Sequence, residues 1–128
     1  VFSKVKTKSE QGKINRRKGA NFEREIRKKL EFEQFIVFKN PNNLIDGKYT
    51  QAKQKFNPFT KRPLMIGAGF PDFLVYNVTT NLWFFVECKT NGYLTKEERE
   101  KVDWIHTELG IRVFVARKKD KEILFKEV

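Results

Sequence analysis

The chain has 128 residues and a mass of 15.3 kDa, with 27 Lys and Arg against 16 Asp and Glu, a formal net charge of +11. Its 39% hydrophobic residues, 13 Phe among them, supply apolar area for one packed core, which excludes disorder over most of the length. No apolar run approaches the roughly 18 residues that span a bilayer, the N-terminus lacks the apolar stretch of a signal peptide, and one Cys with one His allows neither an internal disulfide nor a Cys/His zinc site. A soluble, intracellular protein is therefore expected, cytoplasmic or nucleoid-associated. The missing initiator Met fits a numbering that starts inside a longer chain or after removed residues.

In chain order, residues 1–16 read as a mobile basic arm, because Lys alternates there with small and polar residues. Phe22, Ile26 and Leu30 then recur at i, i+4 and i+8, which predicts an amphipathic helix over 17–34 with Glu23 at the edge of its apolar stripe. Residues 35–38 form a short apolar strand ended by Lys39, Asn40 and Pro41. A long polar connection follows, basic at about 44–66, with room for one short hairpin. Residues 72–76 and 82–89 flank a turn at 77–81 and predict an antiparallel hairpin. Thr95 and Glu98 form a capping-box pair that opens a second helix with Val102, Ile105 and Leu109 on one face, closed by Gly110. Strands at 111–116 and 122–125 complete the chain. The expected fold is a single α/β domain over 17–128, with a central mixed sheet flanked by helices in the order α-β-β-β-α-β.

A charge this far from zero points to a polyanion, nucleic acid above all. Residues 1–29 hold eleven basic against three acidic side chains, Arg16, Arg17 and Lys18 among the former. The stretch 47–71 contains no acid and interleaves Lys53, Lys55, Lys61 and Arg62 with aromatic rings, which suits phosphate contact and base stacking.

Against this background the acids of the hairpin stand out. Glu87 and Lys89 lie two apart on one strand, so they share a face while Cys88 points to the other, and Asp72 opens the neighbouring strand. Glu87 follows five apolar residues in a strand that reads as central. Carboxylates so placed need partners. Asp72, Glu87 and the backbone carbonyl of Cys88 would suit Mg²⁺, with Mn²⁺ as substitute, and Lys89 would orient or help deprotonate an attacking water in phosphodiester hydrolysis. The plain structural alternative has Asp72 capping a turn after Pro71 and Glu87 paired with a lysine at a sheet edge.

Gly69-Phe70-Pro71-Asp72, fourteen intervening residues and Glu87-Cys88-Lys89 resemble the PD-(D/E)xK nuclease motif, placed on a hairpin as in that superfamily. The run from Arg17 to Ile26 resembles the first helix of archaeal-type Holliday junction resolvases, and Glu23 matches the helix glutamate that joins their metal site. Gly69 through Leu94-Thr95 and on to Val113 is similar to the VRR-NUC branch, except that Glu98 stands where those proteins usually carry Gln. The resemblance implies a restriction-endonuclease-like fold and a Mg²⁺-dependent DNA endonuclease acting on Holliday junctions or other branched DNA as a homodimer. Its implied catalytic residues are Glu23, Asp72, Glu87 and Lys89. A restriction-, nicking- or homing-type duplex endonuclease and a non-catalytic nucleic-acid-binding protein remain the alternatives. Among the other residues, Trp83, Trp104 and the Cys88 thiol read as core, His106 as a partly exposed structural residue and Tyr93 as open to either role. Gly67 and Gly69 read as letting the chain turn sharply into Asp72 and bring its backbone close to a phosphate, with a plain loop role as the alternative.

Overall fold

The computed structural model describes residues 7–66 and 69–128, with backbone alone for 53–57 and 62–66. Helix α1 spans Lys8–Phe32 and begins nine residues before the predicted 17. Thr7 accepts the N–H of Glu10 on its hydroxyl, while the Glu10 side chain accepts the N–H of Thr7, a complete capping box. That cap, followed by helix-forming Lys, Glu, Gln and Arg and no proline, makes the basic arm helical from Lys8 onward. Only Phe22, Ile26 and Leu30 of α1 are buried, so its first half stands clear of the core.

Strands β1 (Ile36–Lys39), β6 (Phe73–Asn77), β7 (Leu82–Cys88), β8 (Arg112–Lys119) and β9 (Glu122–Glu127) form one five-stranded sheet in the order β1-β6-β7-β8-β9. All neighbours pair antiparallel except β7 and β8, which are parallel, so the sheet is mixed as expected. A parallel pair requires a crossover. Helix α2 (Lys96–Trp104), continued by a π-helical turn at Ile105–Leu109 and closed by Gly110 at φ 64°, supplies it.

Alternation along the strands gives each helix one face of the sheet. Phe22, Ile26 and Leu30 pack on Val37, Phe73, Val75, Val86 and Ala116. Val102 and Ile105 pack on Phe85, Val113 and Phe70 from the opposite side. The long connection differs from the single short hairpin expected. It forms two antiparallel pairs, β2 (Asn42–Ile45) with β3 (Lys48–Gln51) and β4 (Lys53–Asn57) with β5 (Arg62–Ile66). The first is tied to the core through Tyr49, whose ring stacks on Trp104 and meets Phe85 edge-on.

Trp104 is partly buried and packs against the core, close to the core role expected, whereas Trp83 does not. It lies 44% exposed, its ring against those of Phe38 and Tyr76. Among the described residues no helix is long and apolar enough to cross a membrane.

Candidate active site

The middle strand of the sheet, β7, carries its charged residues at its C-terminal end, where the apolar run stops and the backbone pairs with β8. Glu87 is 5% exposed there. Its Oε1 accepts the N–H of Asp72 at 3.1 Å, and Asp72 Oδ2 accepts the N–H of Cys88 at 2.8 Å. The two acids are thus locked together across the hairpin by reciprocal backbone contacts. Lys89 Nζ stands 3.6 Å from Glu87 Oε2 and 2.7 Å from Glu98 Oε2. Asp72, Glu87 and Lys89 are therefore assembled as the alternation of the strands predicts, with Cys88 packed against the α1 side.

The electrostatics follow from this crowding. Burial pushes Glu87 up to about 10, the hydrogen bond and charge of Asp72 add to the rise, and Lys89 only partly offsets it. For Lys89 burial works downward, and the hydrogen bond and charge of Glu98, with those of Glu87, outweigh it and hold the ammonium above its ordinary range. Burial pushes the Cys88 thiol up, and the charges of Asp72, Glu23 and Glu87 all add to this. Cys88 is an inert thiol set in the field of three acids.

Glu23 reaches this region from α1 and forms an ion pair with Lys39, Nζ to Oε2 at 2.9 Å. Burial lowers the Lys39 ammonium, but Glu23 and, more weakly, Asp72 raise it overall. The sequence places Lys39 at the end of a strand without assigning it a partner. Its position two residues after the buried Val37 puts it on the α1 face, opposite Phe73 in register, and that spacing was the available signal.

Asn40 is the second unanticipated residue. It is 5% exposed and donates to Pro71 O at 2.7 Å and to Tyr49 Oη at 2.9 Å, while its backbone N–H donates to Asp72 O at 3.0 Å. It clamps the segment that delivers Asp72, including the cis peptide between Phe70 and Pro71. Gly69 lets that segment close: a Cβ there would stand 1.8 Å from the Asn40 carbonyl oxygen. Its role is close approach to Asn40, while Gly67 lies outside the described residues.

Of the predicted nucleic-acid contacts, Arg16, Arg17 and Lys18 are exposed on α1 and Lys61 is exposed in the β4–β5 turn. The side chains of Lys53, Lys55 and Arg62 lie outside the described residues. His106 and Tyr93 are both exposed, and neither makes a described contact with the acids.

The donor set can be weighed against a divalent cation. Among the described residues no three His, Cys, Asp or Glu side chains gather as a metal cage. Mg²⁺ does not require one, since it keeps several waters and is held by one or two carboxylates together with substrate phosphate. Asp72 and Glu87 would offer two hard-oxygen ligands, and the burial that raises Glu87, added to by the hydrogen bond and charge of Asp72, is a deficit of positive charge that such an ion would meet. No protein-family model, curated protein or solved structure matches the chain.

Proposed function

We propose that this chain is a divalent-metal-dependent DNA endonuclease of the PD-(D/E)xK type. The observation that carries the proposal is the locked pair of Asp72 and Glu87 beside Lys89, at the end of the central strand of a protein with a net charge of +11. A protein that only bound nucleic acid would gain nothing from two adjoining acids, one of them buried, among its basic residues, because carboxylate charge repels phosphate. The order helix, strand, hairpin, crossover helix and parallel strand supports a restriction-endonuclease-like core, with β2 to β5 as an insertion.

Asp72 and Glu87 would hold Mg²⁺ or Mn²⁺, with the Cys88 carbonyl as a further oxygen and Glu23 acting through water. The ion would polarise the phosphate and lower the pKa of a bound water. Lys89 carries its proton in this arrangement, so it donates a hydrogen bond to the attacking water or to a phosphate oxygen as negative charge builds there. The reciprocal contacts of Asp72 and Glu87 fix both carboxylates before substrate arrives, and Asn40 fixes the chain that bears Asp72. Exposed Arg16, Arg17, Lys18 and Lys61 grip the phosphate backbone.

The resemblance of the segment around Glu23 to junction resolvases supports branched DNA as substrate and a homodimer as the working form, since symmetric cutting of two strands needs two sites. Four-way junction, flap, linear duplex and single-stranded DNA, each incubated with Mg²⁺ and with EDTA, test the assignment. Metal-dependent cleavage of the junction in preference to the duplex is expected. Preferential duplex cutting would make it a restriction-, nicking- or homing-type enzyme, and salt-sensitive binding without product would make it a binding protein.

A further inference from the structure

We infer that Glu98 is a positioning residue that draws the Lys89 ammonium off Glu87 and so keeps a Glu87 oxygen open to a divalent cation. The inference rests on the nuclease assignment above. Its geometry begins with the two oxygens of Glu87. Oε1 is occupied by the N–H of Asp72, which leaves Oε2 as the oxygen for a cation, and Lys89 Nζ is 3.6 Å from it. Lys89 lies two residues on from Glu87, one past the end of β7, and its ammonium 3.6 Å from Oε2 is a built-in competitor for that oxygen. Glu98 Oε2, at 2.7 Å from the same ammonium, takes the closer contact.

Glu98 is itself fixed. Its Oε1 accepts the N–H of Thr95 at 2.9 Å, and the Thr95 hydroxyl accepts the N–H of Glu98 at 3.1 Å, the capping box of α2. One carboxylate oxygen therefore starts the helix while the other holds the lysine. Glu98 is only 16% exposed and Lys89 29%, so water screens their attraction less than it would at an open surface. The capping box alone would be served as well by glutamine, but only the carboxylate can compete with Glu87 for the ammonium.

Glu98→Gln therefore separates the two roles. It keeps the cap and removes the charge. Mn²⁺ binding followed by calorimetry should weaken about 10- to 100-fold, the range found when an outer partner of a metal ligand is lost. The metal-free variant should stay folded, with a modestly lower melting temperature from the lost Glu98–Lys89 contact, and its DNA affinity in EDTA should stay at the wild-type value. The Mn²⁺ concentration for half-maximal cleavage should rise by the same factor. In a Lys89→Met background the competitor is gone, so adding Glu98→Gln should leave Mn²⁺ affinity unchanged. Wild-type Mn²⁺ affinity in Glu98→Gln, or an equal loss in both backgrounds, overturns the inference and leaves the nuclease assignment standing. A wild-type protein that neither binds Mn²⁺ nor cleaves DNA overturns both.

Discussion

Asp72 and Glu87 each accept a backbone N–H from the other's strand, Glu87 from Asp72 itself and Asp72 from Cys88. Both carboxylates are thereby held by backbone groups, one at the end of β7 and one at the residue that leads into β6. Removing one carboxylate is expected to disturb the other as well as to remove a ligand.

The buried member of the pair gives the protein a pH signature. In the unfolded chain Glu87 ionises near its ordinary value of 4.5, whereas burial and Asp72 raise it to about 10 in the fold. Between those values the folded state binds the extra proton. The stability contributed by this group is full below 4.5 and is lost as pH rises toward 10. Thermal melts in EDTA should therefore fall steadily from mildly acidic to alkaline pH. Glu87→Gln should flatten that fall and stabilise the metal-free protein by roughly 1–3 kcal/mol near neutrality, while abolishing cleavage. A wild-type melting temperature that is level across this window contradicts the assignment of Glu87 as a crowded, buried acid.

The segment that delivers Asp72 depends on two residues with no chemistry of their own. Asn40→Ala removes the donors to Pro71 O and Tyr49 Oη, and leaves the buried Pro71 carbonyl without that bond, at a cost of about 1–3 kcal/mol. Gly69→Ala forces a methyl group into the Asn40 carbonyl, a comparable loss of roughly 1–3 kcal/mol from overpacking. Chemical denaturation measures both. Both variants should also lose cleavage rate beyond the loss in folded fraction, because Asp72 is displaced. Wild-type stability in both would mean that the clamp on Phe70-Pro71-Asp72 does not operate.

The exposed cations of α1 carry a separate expectation. Replacing Arg16, Arg17 and Lys18 together with Glu should weaken binding to all DNA sequences alike. The log–log salt slope should become shallower by about 0.9 for each duplex phosphate contact removed. Fluorescence anisotropy over a salt series reads this directly. An unchanged slope would place the DNA elsewhere on the surface.

How much of this was legible in the sequence depends on the reach of each interaction. The hairpin, the shared face of Glu87 and Lys89, and the two ends of the second helix follow from local rules of alternation and capping. Each spans only a few residues. The start of α1 was also written locally, in Thr7 and Glu10, but the density of lysines around it favoured an irregular arm. The polar strands β2 and β3 show no clean alternation, and among their described residues Tyr49 packs against the apolar cluster under α2. Asn40 looked like a turn residue beside Pro41, and what buries it is a carbonyl 31 positions away. The pairing of Glu98 with Lys89 likewise links a helix cap to a strand end, which no spacing rule anticipates. Lys39 was within reach, since counting two residues from Val37 places it on the face that meets Glu23.

The most direct measurement is cleavage of a four-way DNA junction by the wild-type chain and by Asp72→Asn, each with Mg²⁺ and with EDTA, alongside binding of both proteins to the same junction. The account predicts product from the wild type with Mg²⁺ alone, none from Asp72→Asn, and near-equal DNA affinity for the two in EDTA, because the basic surface and not the acid pair supplies the grip. Cleavage by Asp72→Asn at the wild-type rate, or product that persists in EDTA, would contradict it.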